Sequence, residues 1–102
     1  MIQVIAFITA KPGQRAQVLA AFNANCTAVR AEYGCIEYGA AIDAAGLPPS
    51  RGSIGPDTFI AIEKWASLAD LQAHAKSAHM QAYGAQTKDW VERKLIHVLE
   101  PA

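Results

Sequence analysis

Glu63, Trp65, His74 and His79 bring a carboxylate, an indole and two imidazoles into one short stretch of this 102-residue chain. Imidazole is the natural proton acceptor near neutral pH, because its unperturbed pKa is about 6.5. A carboxylate within reach can orient or charge it, and a flat aromatic ring offers an apolar wall to a small substrate. Glu63 lies in the run Phe59-Ile-Ala-Ile-Glu-Lys-Trp65, and alternate residues of a strand share a face. Phe59, Ala61, Glu63 and Trp65 therefore point one way, while Ile60 and Ile62 point the other. A carboxylate on so apolar a face costs free energy unless it is paired, and the histidines of the next element are its candidate partners.

On an unbroken helix an i, i+5 pair diverges by roughly 140°, so His74 and His79 would not share a metal ion, as an i, i+4 pair would. A helix break at Ser77 would restore convergence. No Gly-x-Gly-x-x-Gly follows a strand, and neither a phosphate-binding loop nor a close Cys/His cluster occurs. The expectation is a site with no cofactor and no metal. With Leu68 as origin, Leu71, Ala75, His79 and Ala82 fall within roughly 60° of one stripe, and His74 lies at its edge. His79 is thus expected to face the sheet, and His74 to stand at a pocket mouth or in solvent. His97 reads as an ordinary strand residue.

The elements that must position these groups follow from pattern. Ile2 to Ala10 is an apolar strand ending at the turn Lys11-Pro12-Gly13. Gln14 to Glu32 places Val18, Leu19, Phe22, Cys26 and Val29 on one helical stripe, which Gly34 stops. Ile36, Tyr38, Ala40 and Ile42 alternate with Glu37, Gly39, Ala41 and Asp43 as a second strand. Ala44 to Asp57, rich in Gly and Pro, is a loop, and Thr58 to Trp65 is the third strand. Ser67 with Asp70 resembles a capping box that opens the second helix, and Ser77 is placed to cap a renewed segment through Met80, Tyr83, Thr87 and Trp90. Arg93 to Glu100 closes the chain as a fourth strand. The order predicts an α+β class, a ferredoxin-like β-α-β-β-α-β fold with an antiparallel sheet, in one domain over residues 1–102. Helices then cover one face only, and the other needs a second subunit.

Composition excludes several function classes. Nine basic and nine acidic residues give no net charge, and no basic cluster stands out, which argues against nucleic acid or anionic membrane as partner. No cationic leader precedes the first strand and no apolar run approaches membrane-spanning length, so a cytoplasmic protein is expected. Cys26 and Cys35 read as reduced packing residues. A hydrophobic fraction of 52% is high for so short a chain and fits an apolar interface.

With Gly34-Cys35-Ile36-Glu37-Tyr38, then Phe59…Glu63-Lys64-Trp65, Ser67, Leu71, His74 and His79, nearly the whole chain resembles the antibiotic biosynthesis monooxygenase family of the dimeric α+β barrel superfamily. The resemblance implies a homodimer whose paired sheets form a barrel, with one pocket per subunit between helices and sheet. It further implies oxygenation of a small aromatic substrate by O₂ without flavin, metal or nicotinamide. The haem-degrading branch carries an Asn in the first strand, and Ile2 to Ala10 has none.

Cofactor-free oxygenation needs an electron-rich phenol or hydroquinone, a general base, an apolar cavity and hydrogen bonds to the developing oxyanion. His79 is the expected base, His74 its companion and Glu63 the group that orients or charges them. Trp65, Tyr38, Tyr83 and Phe59 are the expected substrate-binding aromatics, Tyr38 adding a hydroxyl donor. Each has a second reading: His79 as a hydrogen-bonded core residue, Glu63 as a structural ion pair, Trp65 as core, and Met80, Tyr83 and Trp90 as a packing stripe. A non-enzymatic small-molecule-binding or stress-response protein, or a proton-transfer isomerase, would use the same residues.

Overall fold

The computed structural model describes residues 1–48 and 51–102. Its elements are β1 (Ile2–Ala10), α1 (Arg15–Arg30), β2 (Cys35–Ala41), β3 (Thr58–Trp65), α2 (Leu68–Ala75), α3 (Ala78–Thr87) and β4 (Val91–Leu99). The four strands form one antiparallel sheet in the order β2-β3-β1-β4. This is the expected α+β, ferredoxin-like arrangement, with the second helical region divided in two and β4 entered from Val91.

The division has a local cause. Ser77 donates its hydroxyl to the His74 carbonyl at 2.8 Å and accepts from the Met80 N–H at 3.4 Å. One side chain thus satisfies the last turn of α2 and the first of α3, and the chain changes direction between them. Ser67 starts α2, accepting from Asp70 N–H at 3.2 Å. Asp70 answers through the Ser67 hydroxyl, at 2.9 Å, rather than through a backbone N–H as in a full capping box.

Alternation on β3 and β1 fixes what lies under the helices. Phe59, Ala61, Glu63 and Trp65 are buried with Val4, Ala6 and Ile8, and cross-strand register sets Glu63 between Val4 and Tyr38. Helix α1 lays Val18, Phe22, Cys26 and Val29 on this surface. Phe22 stacks on Tyr38 at 4.9 Å and meets Phe59 and Tyr83 edge-on. Cys26 and Cys35 are free thiols, and burial holds both above the ordinary thiol range.

Strand β2 departs from strict alternation. A bulge between Cys35 and Glu37 shifts the register, so Ile36 is exposed while Tyr38 is buried. Ile42 lies past the strand end and is exposed too. Arg30 donates to the Tyr38 carbonyl at 2.9 Å and so occupies part of this edge.

Among the described residues, no helix covers the opposite sheet face, which carries Ile5, Phe7, Ile60 and Ile62. Strand β4 is exposed on both sides, with Leu95 and Leu99 on that face and Ile96 and Val98 on the helix side. Of the loop expected over Ala44 to Asp57, Pro49 and Ser50 lie outside the described residues. Asp43 anchors its end by accepting from Ile54 N–H, Gly55 N–H and the Ser53 hydroxyl, and these bonds hold its carboxyl below the usual range.

The turn after α1 is held against the start of α2. Gly34 has φ +82° and its carbonyl accepts from Ala66 N–H at 2.8 Å. A Cβ here would strike the Asp70 carboxylate, whereas one at Gly13 (φ +78°) would meet open space. Both glycines share the left-handed penalty of about 1–2 kcal/mol for a side chain. Gly34→Ala is therefore expected to lower the urea midpoint clearly more than Gly13→Ala. Equal losses would show that the Gly34–Asp70 approach is not a constraint.

Candidate active site

His74 is the residue around which the site is built. It is 3% exposed, its ring lies 4.6 Å from that of Trp65, and Tyr38 meets it edge-on at 5.4 Å. Its Nδ1 lies 2.8 Å from Glu32 Oε2. A carboxylate only accepts, so Nδ1 carries the proton and donates it, and in the neutral ring the lone pair then lies on Nε2. That nitrogen is turned toward Glu63, whose Oε1 is 4.0 Å away.

Glu63 is buried at the centre of the helix-covered face. It accepts a hydrogen bond from Trp65 Nε1 at 3.0 Å. Loss of water around the carboxyl pushes its pKa up, more strongly than the Trp65 bond and the nearby His74 pull it down. His74 is thus flanked by two carboxyl groups in unequal surroundings, Glu32 half-buried and Glu63 buried.

His79 occupies a different place from the one its helical phase suggests. Its side chain is 31% exposed and its Nε2 donates to the same Glu32 Oε2, at 3.0 Å. The expected assignments of His79 to the sheet and His74 to the rim are reversed. The reason is the break at Ser77, which makes one phase count across α2 and α3 invalid. Leu68, the origin of that count, is itself 49% exposed.

The break also brings the two histidines together. Glu32, His74 and His79 each place one donor atom within 4.8 Å of the others. Glu32 is the group that sequence reasoning missed. It follows α1 in the turn before β2, 42 residues before His74, and its only local signal is the Glu-x-Gly run that ends the helix.

A cavity of about 510 Å³ opens beside His74 and Glu63. Val4, Leu71, Met80, Tyr83, Ile96 and Val98 give it apolar walls, and Gln72 and Lys94 add polar groups. Of the aromatics expected to touch substrate, only Tyr83 lines it. Trp65, Tyr38 and Phe59 are core residues behind the site, because the strand face that carries them is covered by α1 and α2 before it reaches the opening. Burial pushes the Tyr83 phenol up to about 12, and that of Tyr38 well above its ordinary value. Both stay protonated. None of the described residues of the loop after Asp43 lines this cavity. The loop joins the sheet at Thr58, the end of β3 remote from Trp65.

Chemically, the arrangement is a carboxylate-oriented imidazole whose free nitrogen faces a buried carboxyl at the wall of an apolar chamber. It can accept a proton from a bound ligand and return one. Comparison with known proteins agrees with this architecture. The family model for antibiotic biosynthesis monooxygenase matches residues 1–86. The chain is 40% identical to the probable quinol monooxygenase YgiN of Escherichia coli, over 99% of this chain and 98% of that one. Among solved structures, PA3566 from Pseudomonas aeruginosa superposes with a TM-score of 0.81 at 25% identity, covering 99% of this chain and 93% of its own. Rv0793 from Mycobacterium tuberculosis gives 0.80 at 28%, covering 99% and 94%. The chain belongs to the antibiotic biosynthesis monooxygenase family.

The elevated Glu63 carboxyl makes stability depend on pH. Folding raises its pKa above the ordinary 4.5, so the folded state binds this proton more tightly than the unfolded chain. That contribution is complete in acid, and is lost as pH rises through the unfolded value toward the folded one. Glu63→Gln keeps an oxygen for Trp65 Nε1 and removes the ionisation. Urea midpoints measured from pH 4 upward are expected to fall for the wild type relative to Glu63→Gln. A constant difference across that range would contradict a buried, elevated Glu63.

Proposed function

We propose that this protein is a cofactor-independent monooxygenase acting on a small hydroquinone or phenol, with His74 as general base. The observation that supports it is the Glu32–His74 pair, whose Nε2 lone pair faces the apolar cavity next to Glu63. The name of the 40%-identical relative points to the same class of substrate.

The reaction balances without a further reductant. His74 Nε2 takes a hydroxyl proton from the dihydroxyarene, and Glu32 stabilises the imidazolium so formed. The electron-rich anion passes one electron to O₂, and the resulting semiquinone and superoxide combine at a ring carbon. Protonation gives a ring hydroperoxide. Loss of the hydrogen on that carbon, with cleavage of the O–O bond, releases water and leaves a third oxygen on the ring. One hydroquinone and one O₂ thus become one hydroxyquinone and one water, with O₂ accepting all four electrons. Burial raises the Glu63 pKa and so favours its protonated form, which is suited to supply a proton to the departing oxygen. The apolar walls keep the anion desolvated, and Lys94 at the rim favours its charge. His79, bonded to the same oxygen of Glu32, fixes the orientation of the pair.

Oxygen uptake with a panel of hydroquinones and naphthols tests this reading. His74→Ala is expected to lower kcat by about 10²- to 10⁴-fold, the usual contribution of a positioned base. Lys88→Ala, exposed and away from the cavity, should leave uptake unchanged. Undiminished uptake in His74→Ala would remove the base, and no uptake with any substrate would favour a binding protein.

A homodimer accompanies this proposal. Leu95, Ile96, Val98 and Leu99 lie exposed on an edge strand, and the helix-free sheet face is apolar. An interface covering them would reach roughly 2,000 Å², the range of obligate assemblies. It would also close the side of the cavity that Ile96 and Val98 line. Sedimentation at micromolar concentration is expected to show a species of twice 10.9 kDa. A folded species of 10.9 kDa would overturn the dimer.

A further inference from the structure

We infer that Glu32, His74 and His79 form a binding site for a borderline divalent transition-metal ion of the zinc class. Three donors from three segments converge there: the turn after α1, helix α2 and helix α3. His74 Nδ1 and His79 Nε2 stand 2.8 and 3.0 Å from one carboxylate oxygen, and all three atoms lie within 4.8 Å of one another. Donors that ligate zinc at 2.0–2.2 Å in a tetrahedron stand roughly 3.4 Å apart. Closing the widest separation, up to 4.8 Å, to that spacing takes a change of up to about 1.4 Å, shared between two side chains, and the ion then takes the place of the two ring protons.

Chemistry sets the class of ion. Two imidazoles and one carboxylate suit zinc, cobalt, nickel or iron in the divalent state, whereas calcium and magnesium prefer oxygen alone. Two features prepare the site. His74 is clamped by the Trp65 ring, and its other nitrogen faces Glu63 Oε1 at 4.0 Å, where metal-bound histidines commonly have a carboxylate partner. Glu32 and His79 are partly open, with side-chain exposures of 16% and 31%, so an ion can enter from solvent.

Occupancy would have a consequence for the site described above. An imidazole ligated through Nδ1 carries its proton on Nε2, so His74 could no longer accept one. Metal binding and proton abstraction exclude each other. That corollary rests on the proposed reaction, whereas the binding itself does not.

Isothermal titration with zinc chloride is the test. The dimeric or monomeric wild-type protein is expected to bind one zinc per chain. Glu32→Gln and His79→Ala are each expected to weaken binding by at least about tenfold, and His97→Ala to leave it unchanged. His79 is partly exposed, so its truncation leaves a folded protein, verified by far-UV circular dichroism. Cobalt provides a second readout: visible absorption bands of nitrogen- and oxygen-ligated cobalt should appear in the wild type and vanish in His79→Ala. Wild-type zinc affinity retained by both variants, or absence of zinc binding in the wild type, would overturn the inference. Zinc that binds yet leaves oxygen uptake unaltered would overturn only the corollary, and so separates the metal site from the assignment of His74 as base.

Discussion

Glu32 holds two histidines from two helices on a single carboxylate oxygen, and the geometry of the site depends on that junction. Hydrogen bonds to charged groups contribute about 1.5–3 kcal/mol each, enough to fix both rings. The junction exists because two turns are drawn together. Gly34 accepts from Ala66 and approaches Asp70, which seats the end of α1 under the start of α2. Ser77 then ends α2 immediately after His74 has been presented and begins α3 so that His79 returns toward the same point. Backbone conformation, capping and side-chain chemistry therefore share one constraint.

Much of this was legible in the residues. Period-two alternation identified the buried face of β3 and set Glu63 and Trp65 on it, because sheet geometry leaves only two orientations per residue. Capping signals at Ser67 and Ser77 marked both helix starts. What misled was the use of a continuous helical phase through a segment whose own Ser77 signalled a break. The i, i+5 spacing that separates two rings on one helix becomes a convergent spacing across an elbow. Ile36 failed for a related reason, since a bulge inserts one residue and inverts the faces before it. Glu32 left almost no trace, because its partners lie 42 and 47 residues away and a glutamate at a helix end is ordinary by itself. The expected substrate aromatics were correctly placed on the covered face, but covering that face is what withdraws Trp65, Tyr38 and Phe59 from the cavity.

The sheet is used unequally, and this shapes what one chain can enclose. The helices cover β2, β3 and β1 and stop short of β4. Val4 of β1 is consequently buried, while its neighbour Val98 of β4, on the same face, is exposed. The cavity lies at this boundary, with one wall built of packed core and the other of unburied β4 side chains. In the single chain its chemical end is thus packed and its far end open.

The two carboxyl groups beside His74 differ in distance and in solvent, and the difference sets their electrostatics apart. Glu32, at 2.8 Å and partly hydrated, is close enough to take the Nδ1 hydrogen bond and to favour a positive ring. Glu63, at 4.0 Å and buried, is too far to fix the ring proton, and burial favours its neutral form. Exchanging the two environments would place the Nδ1 partner in the core and leave the cavity-facing acid hydrated and ionised. The ring would then be held in the same plane but with a charged carboxylate competing for any proton or anion in the chamber. Opposed environments around one imidazole thus set its cavity-side nitrogen next to a carboxyl whose burial favours the neutral form.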